Sequence, residues 1–592
     1  MTGWRLNSNY SLAALEWLEW KGRQLNHPLR HVGNSGEQPI RIGNRTYHVD
    51  GFDPVTRTIY EFHGCLWHGC LRCHPKERYE PYQRLHGRTL EDVYQATIRR
   101  ETKLRAEGYM VVTIWEHEWV QQKRDTPGLE DTIRSYDLQP PLNPRDAFFG
   151  GRTNAVKLYV DPRDGDHLCY YDFTSLYPCV NKYGEYPKGH PKIIYHPENQ
   201  DIRDYFGIAK CTVIPPTSLF HPLLPYRCGD KGKEKLVFPL CRTCVEENLD
   251  NSLLRKEWIC QHTPEQRALT GTWCTPELER ALSDKIGYKL VCIHEVWHFE
   301  HRQEGMFKEY VDTWLRIKEE ASGFPRDCVT DAQRQQHVDD YLEHERVQLR
   351  LNNIAKNPGR RTVAKLMLNS MWGKFGQRLD KTHVQEFTDP RDLHDFLGSG
   401  RHLISYVSPI TEERVEVYYK DREQALDVNA NLNIFVACFT TCHARLKLYD
   451  ELFRLGDRVA YFDTDSIIFT QATEGQYQPR LGKYLGQFKD ELKGDFIVEF
   501  CSGGPKNYGY RTGCGAVECK VRGFTLNREG SEQLNFDIMV NNVKNEVLEP
   551  LDDDQVRTLR IHERTKIVRN NKTYELFTLP RHKTYRLVAN KR

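Results

Sequence analysis

The stretch Val459–Phe469 reads VAYFDTDSIIF. Two apolar arms, each fit for a buried strand, flank Asp463, Thr464 and Asp465. Burying one bare carboxylate costs on the order of several kcal/mol or more, and two like charges side by side cost more again. Successive strand residues point to opposite faces, so the spacing predicts a tight hairpin with Asp463 and Asp465 on one face and Thr464 at the turn. Divalent cations relieve such repulsion, and Mg²⁺ favours one or two carboxylates plus substrate phosphates. The flanks are too apolar for a turn that simply faces water, so the stretch predicts a carboxylate-tipped metal site.

A metal pair needs a carboxylate from elsewhere. LCYYDFTSLYPCV, residues 168–180, offers Asp172 at the end of an apolar strand, before a turn with Ser175, Leu176, Tyr177 and Pro178. Backbone N–H groups in such a turn cradle phosphate. RRTVAKLMLNSMWGKFGQ, residues 360–377, has helical periodicity after Pro358-Gly359. It places Lys365, Asn369 and Trp372 at i, i+4 and i+7 on one face, where a lysine meets a triphosphate as a point charge. Taken alone, that helix is equally an ordinary amphipathic one.

Together the three stretches resemble the family B DNA polymerases. DFTSLYP (172–178), KLMLNSMWG (365–373) and YFDTDS (461–466) match the family's three polymerase motifs in order and spacing, with Trp372 where tyrosine is usual. The protein-primed branch of bacteriophages, linear plasmids, adenoviruses and Polinton/Maverick elements is the most similar. FFGGRTNA (148–155), with Gly150 and Gly151, resembles the branch's template-contacting Gly-Gly motif, and GGPKNYGY (503–510) its primer-terminus motif, through Lys506 and Tyr508. The resemblance implies a right-hand fold of palm, fingers and thumb over 146–592. It implies two Mg²⁺ ions on Asp172 and Asp465 with Asp463 alongside. Lys365 would bind the triphosphate, and Ser175, Leu176, Asn369 and Trp372 would line the nucleotide pocket. Tyr177 would stack under the sugar and exclude a 2′-hydroxyl. The partners implied are a DNA template-primer, deoxynucleoside triphosphates and a terminal-protein primer. In this branch, inserts between motifs handle the priming protein and encircle DNA. The 193 residues from Asp172 to Lys365 and the 100 from Lys365 to Asp465 leave room for both. A reverse transcriptase fits less well, because its third motif ends in two adjacent aspartates.

Two cysteine-rich stretches point to structural zinc. LCRTCVEENLDNSLLRKEWICQH (240–262) spaces Cys241, Cys244, Cys260 and His262 as C-x2-C-x15-C-x-H, within an insert of about 225–275. Four soft ligands in two knuckles suit tetrahedral Zn²⁺. The second pair is tight, so Cys228 and Cys274 remain alternative ligands. Near the start, YEFHGCLWHGCLRCHP (60–75) and VVTIWEHEW (111–119) gather Cys65, Cys70, Cys73, three histidines and His117. This resembles the very-short-patch-repair endonucleases of the PD-(D/E)xK fold. The resemblance implies a zinc on Cys65, Cys70, Cys73 and His117 and an active-site pair of Asp50 and His63, with His68 nearby. His117 stands where that family has cysteine and Phe62 where it has threonine. Glu61 lies on a strand adjacent to Asp50, and the two carboxylates could hold Mg²⁺ beside His63 as base.

The 592 residues suggest two to four domains, and 39% hydrophobic content supports real cores. The organisation expected is α+β and multidomain: a restriction-endonuclease-like α/β domain over 1–122, a polar Pro-containing linker over 123–145, and the polymerase over 146–592. Net charge is +2, so no global field advertises nucleic acid. The tail from Gln555 to Arg592, with 11 Lys/Arg against two Glu, is a candidate phosphate-contacting surface. No apolar run approaches the roughly 20 residues that span a bilayer. MTGWRLNSNY is not a signal peptide. With no secretion signal, 18 Cys argue for metal sites and free thiols rather than disulfides. The expected location is intracellular, at a nuclear or viral replication site. No D-x-E occurs in the first 145 residues, so the proofreading exonuclease usual before the palm has no recognisable counterpart. The chain is therefore expected to be a version without that N-terminal part. The rival readings are a DNA endonuclease and a DNA-binding relic of a mobile element.

Overall fold

A computed structural model describes residues 11–34, 36–76, 78–80, 85, 88–136, 138–161, 167–229, 234–247, 260–377, 382–399, 402–411, 414–421, 432–523, 528–548, 559–569 and 576–585. The opening MTGWRLNSNY and residues 248–259 of the cysteine-rich insert lie outside them. So do 555–558, 570–575 and 586–592 of the basic tail; Leu559–Arg569 and Leu576–Tyr585 form an antiparallel pair. The chain divides into two compact units. One comprises Met1–Leu142, Ile193–Glu198 and Leu379–Ala430, the other Asn143–Lys192, Asn199–Arg378 and Asn431–Arg592. Among the described residues, no helix is long and apolar enough to cross a membrane.

The first unit is built on helix α1 (Leu12–Gln24), strands β1 (Arg30–His31), β2 (Gly51–Asp53) and β3 (Thr58–His63), helix α2 (Leu90–Ala106), strand β4 (Met110–Trp115), and helices α3 (Glu116–Asp125) and α4 (Leu129–Arg134). The sheet order is β1-β2-β3-β4, with β3 and β4 parallel. All six residues of β3 are buried, as expected of a strand covered on both faces. Thr89 and Asp92 form a capping box that starts α2, and Gly108, left-handed at φ +84°, lets the chain turn into β4. Trp17 and Leu18 of α1 pack with Tyr60, Phe62, Ile114 and Trp119.

The stretch 123–145, read as a linker, is in part this unit's wall. Leu129 and Ile133, one helical turn apart on α4, enter the same core, and the division falls at Leu142/Asn143. Polar and proline residues around a short helix masked its two apolar anchors. The unit's other long segment carries a three-stranded sheet of His383–Phe387, Arg414–Asp421 and His402–Thr411, in that order, with helix Pro390–Gly398.

The second unit centres on a nine-stranded sheet. Its elements are β5 (Thr153–Ala155), β6 (Leu168–Phe173), β7 (Val459–Asp463), β8 (Ser466–Thr470), β9 (Phe488–Asp490), β10 (Ile497–Gly504), β11 (Asn507–Thr512) and β12 (Val517–Val521). The order is β12-β11-β10-β6-β8-β7-β5, with β9 on β6 and Tyr159–Val160 on β10. Helices α5 (Leu176–Tyr183), α6 (Thr275–Leu282), α7 (Lys308–Glu320), α8 (Asp331–Glu345), α9 (Pro358–Phe375) and α10 (Ile434–Leu455) belong to the same unit. One sheet face buries Phe462, Ile467 and Phe469 against Leu448, Leu452 and Leu455 of α10; the other buries Tyr461, Ile468 and Phe500 with Tyr508 and Tyr510. The motif strands are thus sandwiched, and their polar residues surface only at the strand ends.

Candidate metal and nucleotide site

β7 and β8 form the hairpin read from VAYFDTDSIIF. Asp463 pairs with Ser466, so both Thr464 and Asp465 are turn residues, with Thr464 left-handed at φ +58°. Asp465 therefore does not continue the strand's alternation; its N–H donates to the Asp463 carbonyl at 2.6 Å. A second contact seats the turn. The Thr464 N–H donates to the Arg152 carbonyl at 2.7 Å. A Cβ on Gly151 would lie 2.8 Å from the Thr464 methyl, so the Gly-Gly stretch lets the two loops meet. Gly150 has open space where a Cβ would sit.

Asp172 is brought to this turn by sheet register. It pairs with Ser466 on β8, and the Phe173 N–H donates to the Asp465 carbonyl at 2.7 Å. Burial, and then the charge of Asp465, pushes the Asp172 carboxyl up to about 7. Burial, and then Asp463, pushes Asp465 up to about 6. Lys365 on α9 opposes both shifts, which places its ammonium within electrostatic reach of both carboxyls. Asp463 has a counter-ion of its own: Lys506 Nζ lies 2.7 and 3.0 Å from its two carboxylate oxygens. Accordingly, the three aspartates do not draw together as one tight donor set among the described residues. The site fits a hard cation in its chemistry: carboxylate oxygens, half-buried, with like charge that the nearby lysines only partly offset at Asp172 and Asp465.

The nucleotide-pocket candidates converge. Tyr177 stacks on Trp372 at 4.5 Å between ring centroids and 17° between planes, while Lys365 and Asn369 stand exposed on the same helix. Ser175 is left-handed at φ +53° at the start of α5. Leu176 is 1% exposed and packs in the core, so only its main chain is available to a nucleotide. Tyr508 is likewise a core residue, its hydroxyl 3.0 Å from that of Tyr170 and its ring 4.6 Å from Tyr461. Beside it in sequence, Lys506 keeps its side chain 40% exposed, while the Tyr508 ring is buried.

Sequence reading missed the pair that grips the Gly-Gly loop. Arg445 on α10 makes two hydrogen bonds to Glu277 on α6, at 2.9 and 2.8 Å, and donates to the Phe149 and Gly150 carbonyls at 2.9 and 3.1 Å. An arginine inside the apolar run IFVACFTTCHARLKLYD was the available signal.

Both cysteine sets assemble. The ligand atoms of Cys65, Cys70, Cys73 and His117 lie within 4.8 Å of one another, as do those of Cys241, Cys244, Cys260 and His262. His117 Nδ1 is 3.3 Å from Cys65 Sγ and 3.5 Å from Cys70 Sγ; His262 Nδ1 is 3.4, 3.2 and 3.6 Å from the sulfurs of Cys241, Cys244 and Cys260. Three sulfurs and one imidazole around one point are the donor set of structural zinc. Cys228 and Cys274 are in neither set.

In the first unit, Asp50 lies between strands and accepts the Phe62 N–H at 2.8 Å. Glu61 sits mid-strand on β3 rather than at its start. Burial, and then Asp50, pushes its carboxyl up to about 8, although Arg100 of α2 donates to it at 2.8 Å. His63 Nε2 is 2.8 Å from Glu101, a partner sequence reading did not name. The His68 ring lies 4.7 Å from that of His63, and burial pushes His68 down to about 3.

Residues 143–252 match the family described as DNA polymerase type B, organellar and viral. That stretch of the chain is thus similar to type B DNA polymerases. The segment spans the Gly-Gly loop, Asp172 to Pro178, and Cys241 with Cys244. The Phi29 DNA polymerase in its ternary complex with primer-template DNA and incoming nucleotide is similar at 16% identity and a TM-score of 0.44, over 75% of this chain and 62% of that one. An orthorhombic crystal form of Phi29 DNA polymerase gives 16% and 0.46, over 78% and 63%. The chain thus spans under two thirds of the Phi29 polymerase chains. No curated protein matches it.

Proposed function

We propose that this chain is a template-directed DNA polymerase, adding deoxynucleotides to a primer 3′-hydroxyl in the protein-primed replication of a viral or transposon-like element. The observation that carries the reading is the meeting of Asp172 with the Asp463–Asp465 turn on adjacent strands, under the reach of Lys365. Asp172 and Asp465 would hold two Mg²⁺ ions, which when bound lower the pKa of the primer hydroxyl and neutralise the departing pyrophosphate. Lys365 holds the triphosphate. Tyr177, stacked on Trp372, lies under the sugar and excludes a 2′-hydroxyl, and Asn369 and Trp372 line the pocket for the nascent base pair. The Gly150–Gly151 loop lies against the template and Lys506 against the primer end, where it also keeps Asp463 in place. DNA, deoxynucleotides and a terminal-protein primer are the partners this reading requires.

Two zinc ions brace the protein in this account, one in the insert of the polymerase domain and one in the N-terminal domain. A nuclease role for the N-terminal domain is the second reading, favoured by the juxtaposed Asp50 and Glu61 beside His63. Primer extension with Mg²⁺ and a nicking assay on duplex DNA separate the two. The reading expects the wild type to extend a primer, Asp465→Asn to abolish extension, and Asp50→Asn to leave extension intact. Extension lowered less than tenfold by Asp465→Asn would sink the polymerase assignment.

A further inference from the structure

One ammonium lies at the centre of the polymerase unit with no role in the account above. Lys182, near the end of α5, is 1% exposed. Its Nζ stands 2.8 Å from Asp312 on α7 and 3.2 Å from the Glu345 carboxylate at the end of α8, and it also donates to the Glu345 carbonyl. Tyr183 donates its hydroxyl to the same carboxylate at 3.2 Å. Asp312 is shared with Lys308, at 2.7 Å. Burying such a group is costly, and apolar side chains of the same volume often serve stability as well or better. A charge cluster in the core therefore asks what its directionality achieves.

Its partners run to both walls of the nucleotide site. On one side, the other oxygen of Glu345 accepts the Leu485 N–H at 2.6 Å. The next two residues grip the Asp172 turn: the Gly486 N–H donates to the Thr174 carbonyl, and the Thr174 N–H donates to the Gln487 carbonyl, each at 2.8 Å. On the other side, Asp312 belongs to α7, which seats α9. Tyr310 of α7 donates its hydroxyl to the Met367 carbonyl at 3.0 Å, and Leu368 packs with Val311 and Leu315. Met367 and Leu368 lie between Lys365 and Asn369 on α9. Lys182 itself follows Tyr177 by little more than one helical turn. The turn bearing Asp172 and Tyr177 and the helix bearing Lys365 and Trp372 thus end on a single cation.

We propose that Lys182 is a positioning residue that sets α9 against the Asp172–Tyr177 turn, and so sets the fit of the incoming deoxynucleotide. The inference rests on the polymerase reading. It differs from a purely structural role in what it moves. A packing defect lowers the amount of folded enzyme, whereas a shifted α9 changes nucleotide affinity and sugar selection in the enzyme that remains.

The test is primer extension by Lys182→Met and Asp312→Asn beside the wild type, with Tm measured on each. KM is measured separately for deoxynucleotide and for primer-template, and deoxynucleotides are compared with ribonucleotides. A displacement of α9 by a fraction of an ångström to an ångström predicts a nucleotide KM raised on the order of ten- to a hundredfold. It also predicts weakened discrimination against ribonucleotides and an unchanged primer-template KM, with partial rescue by Lys182→Arg. If Lys182→Met does not fold, Asp312→Asn, which keeps the Lys182–Glu345 contact, carries the same expectation at smaller size. An unchanged nucleotide KM and sugar ratio, with activity lost only in proportion to folded protein, would overturn the inference. A wild type that extends no primer would instead overturn the polymerase reading beneath it.

Discussion

Each unit holds a pair of close carboxylates, and the two pairs are compensated differently. In the second unit, Asp172 is pushed up to about 7 by burial and then by Asp465, Asp465 is pushed up to about 6 by burial and then by Asp463, and the direct cation contact is made by Asp463. In the first unit, Glu61 is pushed higher, to about 8, yet Arg100 already sits on it at 2.8 Å, and His63 is committed to Glu101. The first pair is opposed only by the charge of nearby lysines, Lys489 and Lys365 for Asp172 and Lys506 and Lys365 for Asp465. The second has its own cation inside the fold. Buried carboxylates thus lie without a direct ion pair in one place and within an ion-paired network in the other.

The largest expected effect breaks the first pair. Asp172→Asn or Asp465→Asn should lower primer extension on the order of a thousandfold or more, as expected when several kcal/mol of charge stabilisation is lost. Single-turnover extension measures this, and loss of less than tenfold would show that neither carboxylate is needed. Next in size is Tyr177→Val, which removes the ring stacked on Trp372. Incorporation of ribonucleotides relative to deoxynucleotides should rise on the order of ten- to a hundredfold. An unchanged ratio would remove Tyr177 from sugar selection.

Zinc sharpens the comparison from a different side. Thiol titration with a zinc-sensitive dye should release about one zinc per Cys₃His set. Cys244→Ser should release one fewer and Cys70→Ser one fewer, each with a lowered Tm. A full complement of metal in either variant would empty the corresponding assignment. The smallest effect concerns Glu61. Its folded carboxyl, raised to about 8, keeps its proton over a range where the ordinary value of 4.5 has lost it. The folded state then binds more protons, so stability falls as pH rises from about 4.5 to about 8. Denaturant unfolding across that range should show this slope in the wild type and a weaker one in Glu61→Gln. An equal slope in both would mean that Arg100 already fully offsets the burial.

Much of this was legible in the chain. The aspartate-tipped hairpin, the helix with Lys365 and Trp372, and the gathering of the two Cys/His sets rest on local spacing and on chemistry that few other arrangements satisfy. What escaped was long-range pairing of ordinary residues. Lys506 with Asp463, Arg445 with Glu277, and Lys182 with Asp312 and Glu345 join parts of the chain that no periodicity connects. Glu101 was hidden for a simpler reason: on a helix rich in charge, one glutamate gives no sign that it faces a buried histidine. The placement of Asp465 in the turn rather than on the strand was missed because a two-residue hairpin and a three-residue one share the same apolar flanks.

The most direct test of the central claim is anomalous scattering at the manganese edge from crystals of the protein with primer-template DNA, an incoming deoxynucleotide and Mn²⁺. The account predicts two peaks shared between the Asp172 and Asp465 carboxylates and the triphosphate, beside the Tyr177–Trp372 stack. Peaks absent from those carboxylates, or confined to Asp50 and Glu61, would contradict it.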